Sequence, residues 1–181
     1  AEGQRNRAIL ETLYSCGLRV SELVNLKLSD LYFDEGFIKV EGKGNKQRLI
    51  PISPRAINEI KLYFTDRNQI EVKSGHEDFV FISLRRGKRL SRIMIFHMIK
   101  ELAQQASITK NISPHTFRHS FATHLLEGGA NLRAIQCMLG HESIATTEIY
   151  THIDRNMLRS EIIEHHPRNI KYRKEKEELF H

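Results

Sequence analysis

The sequence predicts a mainly α-helical domain with one small antiparallel β-sheet, of the α+β class. Three observations carry this. Apolar residues recur at helical spacing through most of the chain, as in Ile9, Leu10, Leu13 and Tyr14. One pair of short β-type runs flanks a glycine-rich turn, Phe37–Val40 and Arg48–Ile52 around Gly42-Lys43-Gly44-Asn45-Lys46. Ser-Pro pairs, Ser53-Pro54 and Ser113-Pro114, stand where a helix opens, serine capping and proline filling the first helical position.

The elements follow in order. A helix over residues 4–15 stops at Gly17. Val20 to Leu26 forms a second, short helix with Leu23, Val24 and Leu26 apolar, and the hairpin comes next. The helix opened by Ser53-Pro54 buries Ile57, Ile60 and Phe64. Residues 66–78 are polar and loop-like, Phe79–Ile82 is a short buried strand or extended segment, and Arg85-Arg86-Gly87-Lys88-Arg89 is a basic turn. Ser91 starts a helix to about residue 106, with Ile95, Met98, Ile99 and Leu102 in its apolar stripe. The next helix runs from His115 to about Glu127 and ends at Gly128-Gly129. Asn131 caps a helix that stops at Gly140, and Ser143 caps one that carries Tyr150. A last helix holds Ile162 and Ile163 and ends at Glu164-His165-His166-Pro167. The charged tail, Lys171 to His181, is expected to fray.

Composition narrows the function classes. The 181 residues fit one domain, and a 40% hydrophobic content suffices for a core. Net charge is +6 and the pI near 9.4, which leans toward a polyanionic partner such as nucleic acid. No apolar run approaches the roughly 20 residues that span a bilayer, and the first residues lack the pattern of a secretion signal. Cys16 and Cys137 show no C-x-x-C spacing and read as reduced thiols. A cytoplasmic location is expected.

The residues suited to chemistry are few. His115 and Arg118 share one face near a helix start, where free N–H groups and an imidazole-guanidinium pair suit a phosphate. A solvated polar face explains that pair equally well. His141 follows Gly140 at a helix junction, as a capping histidine also would. Tyr150 is a poor nucleophile at the usual pKa of about 10 unless hydrogen bonds or positive charge activate it, and a helical tyrosine is ordinarily a packing residue. Arg19 precedes Ser21-Glu22-Leu23 and could form a plain surface ion pair with Glu22. Lys43 occupies a basic hairpin tip that fits a DNA backbone or minor groove, or is simply a soluble turn.

Together, and in this order, the motifs are specific. G-L-R-x-S-E-L, G-K-G-N-K, H-x-x-R-H-S-F-A-T-H, L-G-H and a tyrosine followed by T-H resemble the tyrosine recombinase (phage integrase) family, in particular its Xer-type members. The resemblance runs from about residue 4 to Pro167-Arg168. It implies the tyrosine recombinase catalytic-domain fold over residues 1–168, with 169–181 as a charged tail and without the N-terminal DNA-clamping domain that family members carry. It implies that Arg19 and Arg118 clamp the scissile phosphate, because guanidiniums fit its oxygens bidentately and stay charged. Lys43 would protonate the 5′-oxygen leaving group, aided by a pKa lowered beside two arginines, with Lys46 a second candidate in the same turn. His115 would assist Tyr150 as base or hydrogen-bond partner, His141 would donate to the phosphate, and Tyr150 would attack and hold the DNA 3′-end. Lys46, Arg48, Arg85, Arg86, Lys88, Arg89 and His119 are expected to meet the remaining DNA.

This scheme needs no cofactor: fixed cations do the charge neutralisation that Mg²⁺ does elsewhere, and the covalent link makes ATP unnecessary. Accordingly the sequence carries neither a tight acidic cluster nor a G-x-x-x-x-G-K-[ST] loop. The expected partners are a double-stranded DNA recombination site and a homo- or hetero-tetramer assembled on it, with a second recombinase or a DNA translocase as further candidates. The helix with Leu158, Ile162 and Ile163 would dock on a neighbour or on its own core. Other readings stay open. One is an integrase or invertase of a phage or mobile element with the same chemistry. Another is a non-catalytic helix-turn-helix module around Gly128-Gly129. A metal-dependent nuclease using His115, His119 and His124 lacks the H-E-x-x-H pattern, and the close recombinase-like motifs argue against a type IB topoisomerase.

Overall fold

The computed structural model describes residues 2–106 and 114–127, and within them the architecture is the predicted one. Helix α1 (Glu2–Cys16) leads to the short α2 (Val20–Val24). A three-stranded antiparallel sheet follows in the order β1-β2-β3, from Leu31–Tyr32, Phe37–Glu41 and Gln47–Pro51. Helices α3 (Pro54–Arg67), α4 (Arg92–Gln105) and α5 (Pro114–Glu127) complete it. None of these helices is long and apolar enough to cross a membrane. The helices expected beyond Glu127, the Gly128-Gly129 break, Cys137 and the 168/169 boundary lie outside the described residues.

Local chemistry sets the element ends. Gly17 takes φ 65°, a left-handed value open to glycine, and its N–H closes on the Leu13 carbonyl at 3.0 Å. Ser53 and Ser91 cap α3 and α4 as expected, each hydroxyl accepting from a backbone N–H three residues on, Ala56 and Met94. The hairpin register pairs Phe37 with Pro51 and Glu41 with Gln47. The two-residue β1 was not foreseen, being too short to show a period.

The core gathers Ile9 and Leu13 of α1, Leu23 of α2, Ile38 and Ile50 of the sheet, Ile60 and Tyr63 of α3, and Ile95 and Ile99 of α4. Of the two forms expected for Phe79–Ile82, strand or extended segment, the structure has the second, held by isolated bridges, Lys27 to Phe79 and Ile82 to Arg89. One expectation needs correction. The buried face of α3 is centred on Ala56, Ile60, Tyr63 and Arg67, while Ile57 and Phe64 are only half-buried. Hydrophobicity alone misplaced that face, because Tyr63 and Arg67 bury their stems while their polar ends find backbone partners. The Tyr63 hydroxyl donates to the Val80 carbonyl at 3.0 Å and accepts from Ile82 N–H at 3.2 Å. Arg67 donates to the carbonyls of Glu77, Phe79 and Val80 at 2.7, 2.8 and 3.2 Å. One arginine thus fastens the extended segment to α3.

The basic turn is fastened as well. Lys73 N–H donates to the Gly87 carbonyl at 2.8 Å and Ser83 N–H to the Lys88 carbonyl at 2.7 Å. Gly87 has φ 66°, and a Cβ there would lie 2.3 Å from the Glu71 carbonyl oxygen, so only glycine fits.

Replacing Arg67 with Met should lower the unfolding free energy by about 2–4 kcal/mol in urea titrations, since buried carbonyls lose their donor. Thr65→Ala, on the exposed side of α3, should stay within about 0.5 kcal/mol.

Candidate active site

A buried carboxylate organises the site. Arg19 precedes the first residue of α2, and its backbone N–H donates to Glu22 Oε1 at 2.8 Å, so Glu22 caps its own helix. The Glu22 side chain is 1% exposed. From β3, Arg48 grips it with both terminal nitrogens, Nη2 to Oε1 at 2.9 Å and Nη1 to Oε2. From α5, Arg118 Nη1 lies 3.6 Å from Glu22 Oε1 and donates to the Gly17 carbonyl, 101 residues away in sequence, at 3.4 Å. The end of α1, the start of α2, a strand and α5 therefore converge on one side chain.

The electrostatics leave room for an anion. Burial pushes the Arg118 guanidinium down to about 10, the positive charges of Arg19 and Arg48 push the same way, and Glu22 opposes them. Arg118 still carries its proton at neutral pH, yet it feels two other cations and one carboxylate. A tetrahedral anion between the arginines relieves that surplus, and guanidiniums match its oxygens in pairs.

The hairpin is laid directly on this pair. Gly42 comes so close that a Cβ would lie 3.3 Å from Arg48 Nη1 and 3.6 Å from Glu22 Oε2. Beyond it, Gly44 and Asn45 take φ 73° and 58° and reverse the chain. Lys43 and Lys46 are both exposed at this tip.

Of the other predicted residues, His115 is exposed on the first turn of α5, one turn before Arg118, and His119 is exposed as well. His141 and Tyr150 lie outside the described residues. Arg85, Arg86, Lys88 and Arg89 are exposed around the basic turn, and Arg85 lies 3.7 Å from the Glu2 carboxylate. Arg48, expected among the DNA contacts, is instead turned inward on Glu22. The strand alternation already carried this, since Arg48 shares its face with the buried Ile50 and Ile52. Glu22, read from sequence as a surface partner, is the buried hub. Its position three residues past the Arg19 cap and before an apolar pair was the signal. His124 was also missed as a support: its Nδ1 lies 2.5 Å from the Tyr14 hydroxyl, with the rings edge-on at 5.7 Å, tying α5 to α1.

Glu22→Gln should destabilise the fold by about 3 kcal/mol in urea unfolding at neutral pH, because Arg48 is left buried beside a neutral partner. Removing both charges with Glu22→Leu and Arg48→Met should recover only part of that loss, because the Arg19 N–H and Arg118 still lose their acceptor.

Comparisons with known proteins give the family and the fold. The model of the phage integrase family matches residues 1–157. Tyrosine recombinase XerD of Staphylococcus saprophyticus is 49% identical over 167 residues, covering 92% of this chain and 56% of that protein. The chain thus spans about half the length of the curated relatives it matches. The crystal structure of XerA recombinase superposes with a TM-score of 0.71 at 39% identity, over 91% of this chain and 59% of that one. XerH recombinase bound to its difH substrate, a pre-cleavage complex, gives 0.67 at 29% identity, over 83% and 43%.

Proposed function

Because the chain belongs to the phage integrase family, we propose that it is the catalytic part of a site-specific tyrosine recombinase that cuts and rejoins DNA strands through a 3′-phosphotyrosine. The observation that supports this is the meeting of Arg118 with the Arg19 turn over Glu22. Two guanidiniums from distant parts of the sequence then bracket one backbone phosphate. Their attraction is strongest when the phosphorus becomes five-coordinate and gains negative charge, which lowers the barrier rather than merely tightening binding.

The remaining roles follow from the chemistry. The Tyr150 phenol oxygen forms a bond to phosphorus as the bond to the 5′-oxygen breaks. His115 takes the phenolic proton, and Lys43 at the hairpin tip gives a proton to the departing 5′-oxygen. His141 donates to a non-bridging oxygen. Reversal with a different 5′-hydroxyl joins the strand to a new partner, and the phosphotyrosine conserves the bond energy meanwhile. Lys46, Arg85, Arg86, Lys88, Arg89 and His119 would hold flanking DNA, while Arg48 supports Glu22. The 49% identity to XerD supports an Xer-type role in resolving chromosome dimers. That role implies a tetramer on DNA, with a second recombinase and a DNA translocase as candidate partners.

The test is a nicked DNA site incubated with the chain in EDTA and run on a denaturing gel. A DNA-linked protein band is expected, and Tyr150→Phe should abolish it. Arg118→Ala should slow its formation by about 10²–10³-fold. Absence of any band, on sites drawn from a random-sequence pool, would overturn the proposal.

A further inference from the structure

The hairpin turn holds two glycines that differ in what surrounds them. Gly44, at φ 73°, serves the chain reversal, and a Cβ there would meet nothing within 4 Å. Gly42 has φ −97° and ψ −163°, extended backbone that any residue adopts. What position 42 lacks is room. A Cβ there would lie 3.3 Å from Arg48 Nη1, 3.6 Å from Glu22 Oε2 and 3.6 Å from the Lys46 carbonyl. The first of these is closer than the roughly 3.5–4.0 Å of a relaxed contact. With a side chain at 42, either the ion pair or the hairpin has to move.

The ion pair is the less yielding side. The Arg48 and Glu22 side chains are 6% and 1% exposed. Both terminal nitrogens of Arg48 bind Glu22, which also takes the Arg19 backbone N–H at 2.8 Å. The turn is exposed from Lys43 to Gln47, and across its base Gly42 N–H donates to the Lys46 carbonyl at 2.7 Å. A methyl group at position 42 therefore lifts the turn off the pair. Lys43 is the next residue, so its backbone is carried along.

We propose that Gly42 is a positioning residue for Lys43. Its missing side chain lets the hairpin close onto the Glu22–Arg48 pair, and that closure sets how near the Lys43 ammonium comes to the arginine site. The proposal rests on the recombinase reading for the proton that Lys43 supplies. Glu22 also lies 3.6 Å from Arg118 Nη1, so one ion pair locates an arginine directly and the lysine through Gly42. A displacement of about 1 Å in a reacting group costs about 10²-fold in rate, so the smaller shift forced by one methyl should cost about tenfold.

Two measurements test it. The first is amide hydrogen exchange without DNA. In Gly42→Ala, exchange at residues 42–46 should quicken about tenfold, while the Leu23 amide, bonded to the Arg19 carbonyl at 3.1 Å, stays protected. Unchanged exchange at the turn overturns the proposal. So does lost protection at Leu23, or a variant that no longer unfolds cooperatively, because the pair would then have given way instead.

The second compares two nicked DNA sites, one an ordinary phosphodiester and one with sulfur at the bridging 5′ position. As the Tyr150 oxygen bonds to phosphorus, the sulfur leaves with the bonding electron pair as a thiolate. It needs no proton from an acid, since a thiol has a pKa of about 8.5. Lys43→Ala sets the pattern of a lost acid: slowed about 10²-fold on oxygen and near wild type on sulfur. Gly42→Ala should be about tenfold slower on oxygen and within about twofold of wild type on sulfur. Added to Lys43→Ala, it should slow the oxygen site no further. Equal slowing on both sites, or on neither, overturns the positioning role. No covalent band from the wild type on either site would sink the recombinase reading, and hydrogen exchange would still decide whether Gly42 seats the turn.

Discussion

The site rests on one carboxylate that the solvent does not reach. Glu22 takes the Arg19 backbone N–H, both terminal nitrogens of Arg48, and lies within ion-pair distance of Arg118. Without it, cations from a strand and two helices would be forced together in a low-dielectric setting, which is strongly unfavourable. With it, they sit at fixed separations and still sum to a positive site. The carboxylate thus answers for the convergence of the fold here, while the three guanidiniums around it outnumber its single charge. The hairpin depends on the same pair, because Gly42 rests against it.

Much of this was legible beforehand. Helix starts were announced by Ser53-Pro54 and Ser91, and the hairpin by its glycine-rich turn. The misses have physical causes. The α3 face was misplaced because Tyr63 and Arg67 count as polar in a pattern but bury well once backbone partners appear. Such partners come from segments distant in sequence and leave no local period. Arg48 and Glu22 escaped for a related reason: each is charged, and burial becomes favourable only when the other is known. Alternation in β3 and the capping position of Glu22 pointed inward, but a charge-based reading outweighed them.

Support for the site extends beyond its cations. The Tyr14–His124 contact fastens α5 to α1 near where Arg118 reaches the Gly17 carbonyl. The three carbonyls on Arg67 fasten the segment that supplies Phe79. These polar ties between distant segments hold the arginine cluster in place with a directionality that nonspecific apolar packing does not provide.

The basic turn offers one more consequence. Gly87 sits flush against Glu71, and its carbonyl is hydrogen-bonded across to Lys73. Loosening this loop would release those hydrogen bonds and leave Arg85, Arg86, Lys88 and Arg89 free to sample many positions. The lone hydrogen side chain at that position thus keeps four cationic side chains on one preformed ridge.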